Sequence, residues 1–128
     1  MNPLVDEWIE KAEGDYNTAR RELHVADAPN YDAVCFHAQQ CAEKYLKSTL
    51  VHAQIEFEKT HDLGILLDML VQLDPSWEEL REDMDSLAGL AVEVRYPGYS
   101  AEAQDAAEAV EIARRVRRVI RQRFGLPQ

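Results

Sequence analysis

The chain has 128 residues, 46% hydrophobic and 30% charged, with a formal net charge of −10 at pH 7. That length suits one domain, 1–128, built on one hydrophobic core. The acidic excess excludes broad, sequence-blind binding to nucleic acid, which needs a basic surface, and no apolar run approaches the ~18 residues of a membrane span.

The elements predicted in chain order are helical. Asn2 caps a first helix with Pro3 at its first position, and Trp8, Ala12, Tyr16, Ala19 and Leu23 form an apolar stripe at steps of three and four. Asp27-Ala28-Pro29-Asn30 breaks it. A second helix runs from about Tyr31 to Ala53, with Val34, Ala38, Ala42, Tyr45, Leu46 and Thr49 on its core face. Ile55 to Thr60 leads to a short third helix, with Leu63, Leu66, Leu67 and Leu70 inward, ended by Asp74-Pro75. Ser76-Trp77-Glu78-Glu79 has the form of a capping box opening a fourth helix that carries Leu80, Met84, Leu87 and Ala91. Arg95-Tyr96-Pro97-Gly98-Tyr99 interrupts the pattern. A fifth helix then runs from about Ala101 to Phe124, with Ser100 as its expected N-cap. It is acidic early (Glu102, Asp105, Glu108, Glu111) and arginine-rich late, an order that complements the helix dipole. Gly125 and Pro127 stop it. The expectation is an all-α bundle of five helices joined by short turns.

Cys35 and Cys41 lie six apart in one helical pattern, a separation that does not meet disulfide geometry on a single helix. They read as reduced, small core residues. The N-terminus lacks the basic-then-apolar layout of a secretory leader, so a cytoplasmic location is expected. Six of the 14 basic residues are arginines between Arg114 and Arg123. They either pair with acidic neighbours or form a local cationic patch on an acidic body.

Several positions are candidates for chemistry. Asp15 is i+3 from Ala12 and i−4 from Ala19, on or beside the buried stripe, where a carboxylate is costly unless paired. It is either an edge residue reaching solvent or a basic partner, or a cleft acid held by a Lys or Arg from the second helix or the Arg95 loop. On the second helix Phe36, Gln40, Glu43 and Lys47, with Lys44 alongside, stand opposite the core stripe, and Glu43 and Lys47 form an i,i+4 pair. This face is either ordinarily solvated or, given Phe36, an interface or groove that meets a phosphate-bearing ligand. His61 begins the third helix, where free N–H groups and the dipole suit anions, and is either a hydrogen-bonded structural residue or a catalyst. His24, His37 and His52 are scattered, so no metal site is expected, and no phosphate-binding Gly-rich loop, nucleophile elbow or cofactor motif is present. Arg95 suits a bidentate grip on phosphate, and a loop between helices can aim it.

The run Ala33-Val34-Cys35-Phe36-His37-Ala38-Gln39-Gln40-Cys41-Ala42-Glu43-Lys44-Tyr45-Leu46-Lys47 resembles the signature of the HEPN domain family. Ala12-Glu13-Gly14-Asp15 with Ala19, Thr60-His61-Asp62-Leu63 and Arg95-Tyr96-Pro97 fit the same family in the same order. The resemblance implies an antiparallel four-helix core with an additional short helix, usually a homodimer, and a role in nucleotide or RNA binding. Small prokaryotic members are often paired with a minimal nucleotidyltransferase in toxin–antitoxin systems. Many members are metal-independent ribonucleases using Arg, four to six residues, then His, in which the His moves protons while the Arg stabilises the phosphorane. Arg95 matches that Arg. The three eligible His positions hold Ser100, Ala101 and Glu102.

The leading expectation is therefore a non-catalytic module in which Arg95 contacts phosphate, Tyr96 or Tyr99 stacks on a base, Lys44, Lys47 and Gln40 add polar contacts, and Asp15 and His61 line the site. A ribonuclease toxin using Arg95 and His61 is the enzymatic alternative. A dimeric antitoxin or scaffold is the structural one.

Overall fold

Asn2 and Pro3 set the first helix in place. The Asn2 side-chain oxygen accepts the Leu4 N–H at 2.7 Å, and Pro3 takes the first helical position, where its missing N–H costs nothing. The computed structural model describes residues 1–93 and 96–128, Glu93 by its backbone alone. Among these, the elements are α1 (Pro3–Leu23), α2 (Tyr31–His52), α3 (Leu63–Leu73), a 3-10 turn (Pro75–Leu80), α4 (Arg81–Glu93) and α5 (Ala103–Arg123). The fold is all-α, an antiparallel four-helix core with the short α3 added to it. No described helix is long and apolar enough to cross a membrane.

α2 is the central element. It packs against α1, α3, α4 and α5, and its buried positions run almost all round the helix: Val34, Cys35, Ala38, Gln39, Cys41, Ala42, Glu43, Tyr45, Leu46 and Lys47 to Leu50. The expected single core stripe is present, but the opposite face is not the solvated one a two-faced helix would carry. α1 meets α2 through Ala12 and Ala19, both fully buried, whose small side chains let the backbones approach. Val5 and Ile9 complete that face, while Trp8, Tyr16 and Leu23 sit at its partly buried margin.

Two expected caps are corrected. Ser76 does not open α4. Asp74 accepts the Ser76 N–H at 3.0 Å instead, and Pro75 starts a 3-10 turn that carries Trp77 and Leu80 into the core before α4 begins at Arg81. Ser100 does not cap α5. The N-cap is Glu102, whose N–H is accepted by the Asp105 carboxylate at 2.9 Å in a capping-box arrangement. Just before it, the Ala101 N–H donates to Asp32 Oδ1 at 2.7 Å, tying the start of α5 to the start of α2.

Both cysteines are free and buried. Burial, with Asp105 and Asp32 nearby, pushes the Cys35 thiol up to about 11, and burial pushes Cys41 higher still. Neither is a thiolate near neutral pH, which suits small core residues.

Most of the α5 arginines act as ties between elements. Arg115 grips Asp83 of α4 bidentately at 2.8 and 2.8 Å. Arg123 reaches Asp74 at 3.3 Å and stacks 3.7 Å over the Trp77 ring. The densest tie is at Glu13 of α1. It accepts the Tyr45 hydroxyl of α2 at 2.6 Å and two bonds from Arg117 at 2.7 and 2.8 Å, and Arg121 stands 3.7 Å away. Burial works to raise the Glu13 carboxyl, but the hydrogen bonds from Arg117 and Tyr45 and the nearby guanidinium charges outweigh it and hold the carboxyl below its ordinary 4.5. A depressed carboxyl contributes stability that is present above its unfolded pKa and lost as pH falls through the folded value. Thermal melts are thus expected to separate wild type from Glu13→Gln most widely near neutral pH. The gap should narrow as pH drops below about 4.5, and a gap independent of pH would contradict the ionised pair.

Candidate functional site

The polar arc of α2 is folded into two networks. In the first, Asp15 of α1 is paired on both oxygens: His37 Nδ1 lies 2.8 Å from Oδ1, and the Lys44 ammonium donates to Oδ2. The costly carboxylate on the buried stripe is thereby satisfied by α2, and Lys44 is spent on it. His37, which the sequence left among scattered histidines, stands seven residues before Lys44. It therefore shares Lys44's side of the helix, and that two-turn spacing was the signal.

In the second network Glu43 is the hub. The residue is 2% exposed and accepts from Lys47 Nζ at 3.0 Å, from Gln39 Nε2 at 3.3 Å and from His61 Nδ1 at 2.9 Å. Lys47, 6% exposed, lies over the rings of Trp8 at 5.4 Å and Phe57 at 5.7 Å. The pair, on a face that the sequence left open between solvent and a groove, is a buried ion pair under an aromatic cover, because the α2–α3 connection folds back across this face and brings Phe57 and His61 with it. Gln40 Nε2 donates to Gln39 Oε1 at 2.9 Å, and Gln39 Nε2 also donates to the His61 carbonyl at 3.0 Å.

His61 is fixed at both ends. Its carbonyl is held by Gln39 and its ring by Glu43, in a turn where Thr60 Oγ1 accepts the Asp62 N–H at 3.1 Å and Asp62 caps α3. A carboxylate only accepts, so Nδ1 carries the proton in that bond. Nε2 is left on a side chain that is 73% exposed. His61 lines an open cleft of about 280 Å³, together with Gln39, Asp62 and Leu63 on one side and Ala88, Ala91 and Val92 of α4 on the other.

Val92 precedes Arg95 by three positions; Arg95 itself lies outside the described residues. Beyond it, Tyr96-Pro97-Gly98-Tyr99 forms a β-turn closed by the Tyr99 N–H on the Tyr96 carbonyl at 3.2 Å. Pro97 occupies its second position and Gly98, at φ +94°, its third, which is the type II arrangement. Glycine is required there, and the turn presents both tyrosines, 61% and 62% exposed, at its two ends. Among the described residues no group of three or more His, Cys, Asp and Glu side chains converges as a metal site would need. His61, Gln40, Glu43 and Lys47 therefore meet in one network and Asp15 and Lys44 in another, while Tyr96 and Tyr99 stand on the turn.

The family model "HEPN domain" matches residues 5–123. The chain belongs to the HEPN family. Two solved structures share its fold: an archaeal HEPN homologue, ST0689, at 26% identity and TM-score 0.70, covering 93% of this chain and 96% of that one; and TT1696 from Thermus thermophilus, at 27% identity and TM-score 0.73, covering 95% and 98%. No curated protein matches the chain. Within this HEPN domain the signature run Ala33–Lys47 is the buried central helix. Its conspicuous Gln39, Glu43 and Lys47 make the network that anchors His61.

Proposed function

We propose that this HEPN domain binds a phosphate-bearing ligand, a nucleotide or an RNA segment, at the cleft between His61 and the C-terminal end of α4. The observation that carries this reading is the Glu43–His61 hydrogen bond, which fixes a solvent-facing imidazole on the wall opposite the helix leading into Arg95. Arg95 supplies the bidentate phosphate contact, and Tyr96 and Tyr99 offer ring faces for base stacking. Asp15 and Lys44 brace α1 against α2. Half-exposed Phe36 on α2 and Val92 on α4 provide apolar surface for a second copy of the chain. Family precedent supports a minimal nucleotidyltransferase partner in a toxin–antitoxin-like pair, and the buried, protonated thiols support a cytoplasmic setting.

Titration of the purified protein at low salt with a nucleoside triphosphate and with a labelled single-stranded RNA is expected to show binding. Arg95→Ala should weaken it at least tenfold, roughly the loss of one charge-assisted bidentate contact. No binding by wild type, with Arg95→Ala equally inert, overturns the reading.

One observation favours a second reading. The carboxylate-held imidazole is also how a general base is oriented, so a ribonuclease in which His61 takes the role missing at Ser100 follows from the same bond. It predicts RNA cleavage that falls about 10²–10⁴-fold in His61→Ala. RNA left intact by the wild-type protein excludes it.

A further inference from the structure

Away from the His61 cleft, the C-terminal half of α1 and the middle of α5 enclose an open concavity of about 320 Å³ lined by Tyr16, Asn17, Arg20, Arg114, Arg117 and Arg118. Four guanidiniums from two helices converge there, in a protein of net charge −10. Two of them are accounted for by the fold: Arg117 by Glu13, and Arg114 by Glu111. The other two are not. Among the described residues Arg20 has no carboxylate within salt-bridge distance, its side chain donating instead to Asn17 Oδ1 at 3.1 Å, and the exposed Arg118 has none either.

The helix itself gains nothing from this crowding. Arg114 and Arg118 are a like-charge i,i+4 pair, and such pairs oppose helix formation. The dipole favours cations only in the last turn, which Arg114 and Arg118 precede on α5; Arg20 alone of the cluster has that support, in the last turn of α1. Arg115 and Arg123 show what a purely structural arginine does on α5, since each reaches a carboxylate on another element. The cleft arginines instead point a surplus of N–H donors at one space. Arg20 and Arg117 both lie over the Tyr16 ring, at 5.8 and 5.1 Å. Arg117 Nη1 already donates to an oxygen acceptor there, the Gln128 carbonyl at 3.0 Å.

We infer that this concavity is a second oxyanion site, separate from Arg95, that takes a phosphoryl group. The planar fork of Arg matches phosphate oxygens two at a time, and a cluster of forks fits a phosphate better than a single carboxylate. The phosphate arrives either on a small free molecule or within a single-stranded nucleic acid backbone.

The test titrates the purified full chain at low salt with inorganic pyrophosphate and, separately, with a labelled single-stranded RNA. It compares wild type and Arg95→Ala, each with and without Arg20→Ala/Arg118→Ala. Neither Arg20 nor Arg118 holds a carboxylate within the described fold, so the double variant should melt like wild type. Its affinity for pyrophosphate should drop at least about tenfold, in the wild-type and in the Arg95→Ala background alike. Loss confined to pyrophosphate assigns a small phosphate ligand; loss of RNA affinity as well, with a shallower salt slope, assigns a strand. Wild type that ignores both probes, or a double variant that binds as wild type does, overturns the site. A failure of RNA binding in Arg95→Ala alone bears on the His61 cleft and leaves this inference standing.

Discussion

Glu43→Ala is expected to destabilise the domain by about 3–5 kcal/mol, the range for breaking a buried ion pair by removing one partner. The Glu43 and Lys47 side chains are nearly inaccessible, and Lys47 lies over Trp8 and Phe57 with no second carboxylate bonded to it among the described residues. Alanine leaves that ammonium buried and uncompensated and takes the acceptor away from Gln39 and His61 as well. Denaturant unfolding should show a fall in midpoint at an unchanged slope. Replacing both partners with apolar residues, Glu43→Leu/Lys47→Met, should recover most of the loss, since hydrophobic substitutes for a buried pair are often neutral or stabilising. The recovered protein should still bind ligand poorly at the His61 cleft, because the imidazole has lost its anchor. Glu43→Ala within about 1 kcal/mol of wild type would place the pair among solvated surface bridges.

Tyr45→Ala is the other large effect, at about 3–5 kcal/mol for truncating a buried aromatic side chain. Tyr45 is fully buried at the centre of α2, and its hydroxyl donates to Glu13 while accepting from Arg121 at 3.3 Å. Burial, and the bond to Glu13, push its hydroxyl well above the ordinary tyrosine range, so it is a donor near neutral pH. Tyr45→Phe separates packing from polarity. It keeps the ring and should cost only about 1–3 kcal/mol, because Glu13 retains both bonds from Arg117. Equal losses for the two variants would locate the whole contribution in the hydroxyl.

The helices were legible where local chemistry decides the outcome. Asn2-Pro3 is a start signal whatever surrounds it, and the leucines of α3 point inward because their spacing permits only one face. The caps at Ser76 and Ser100 failed because a competitor stood close by. Asp74 reaches the Ser76 N–H first, and Glu102 with Asp105 makes a complete box two residues past Ser100. The polar arc of α2 stayed open between a solvated face and a groove for a different reason. A helical wheel assumes one buried face, whereas a central helix is covered from every side, and whether Glu43 faces water depends on where residues 57 and 61 fold. The site was legible as residue types, His61 and Glu43 among them, but not as a bond between them. Eighteen positions of chain separate the pair, and nothing local encodes their meeting.

The Glu13 tie joins residues 104 positions apart. During synthesis at about 5–20 residues per second, Glu13 emerges roughly 5–20 s before Arg117 does. Once α2 has followed α1 out, the carboxylate and the Tyr45 hydroxyl that they would enclose still have no guanidinium to meet. The pair of helices must stay wet at that seam until α5 arrives. A chain halted before residue 117 is thus expected to carry an open, hydrated seam between α1 and α2 that a protease can enter.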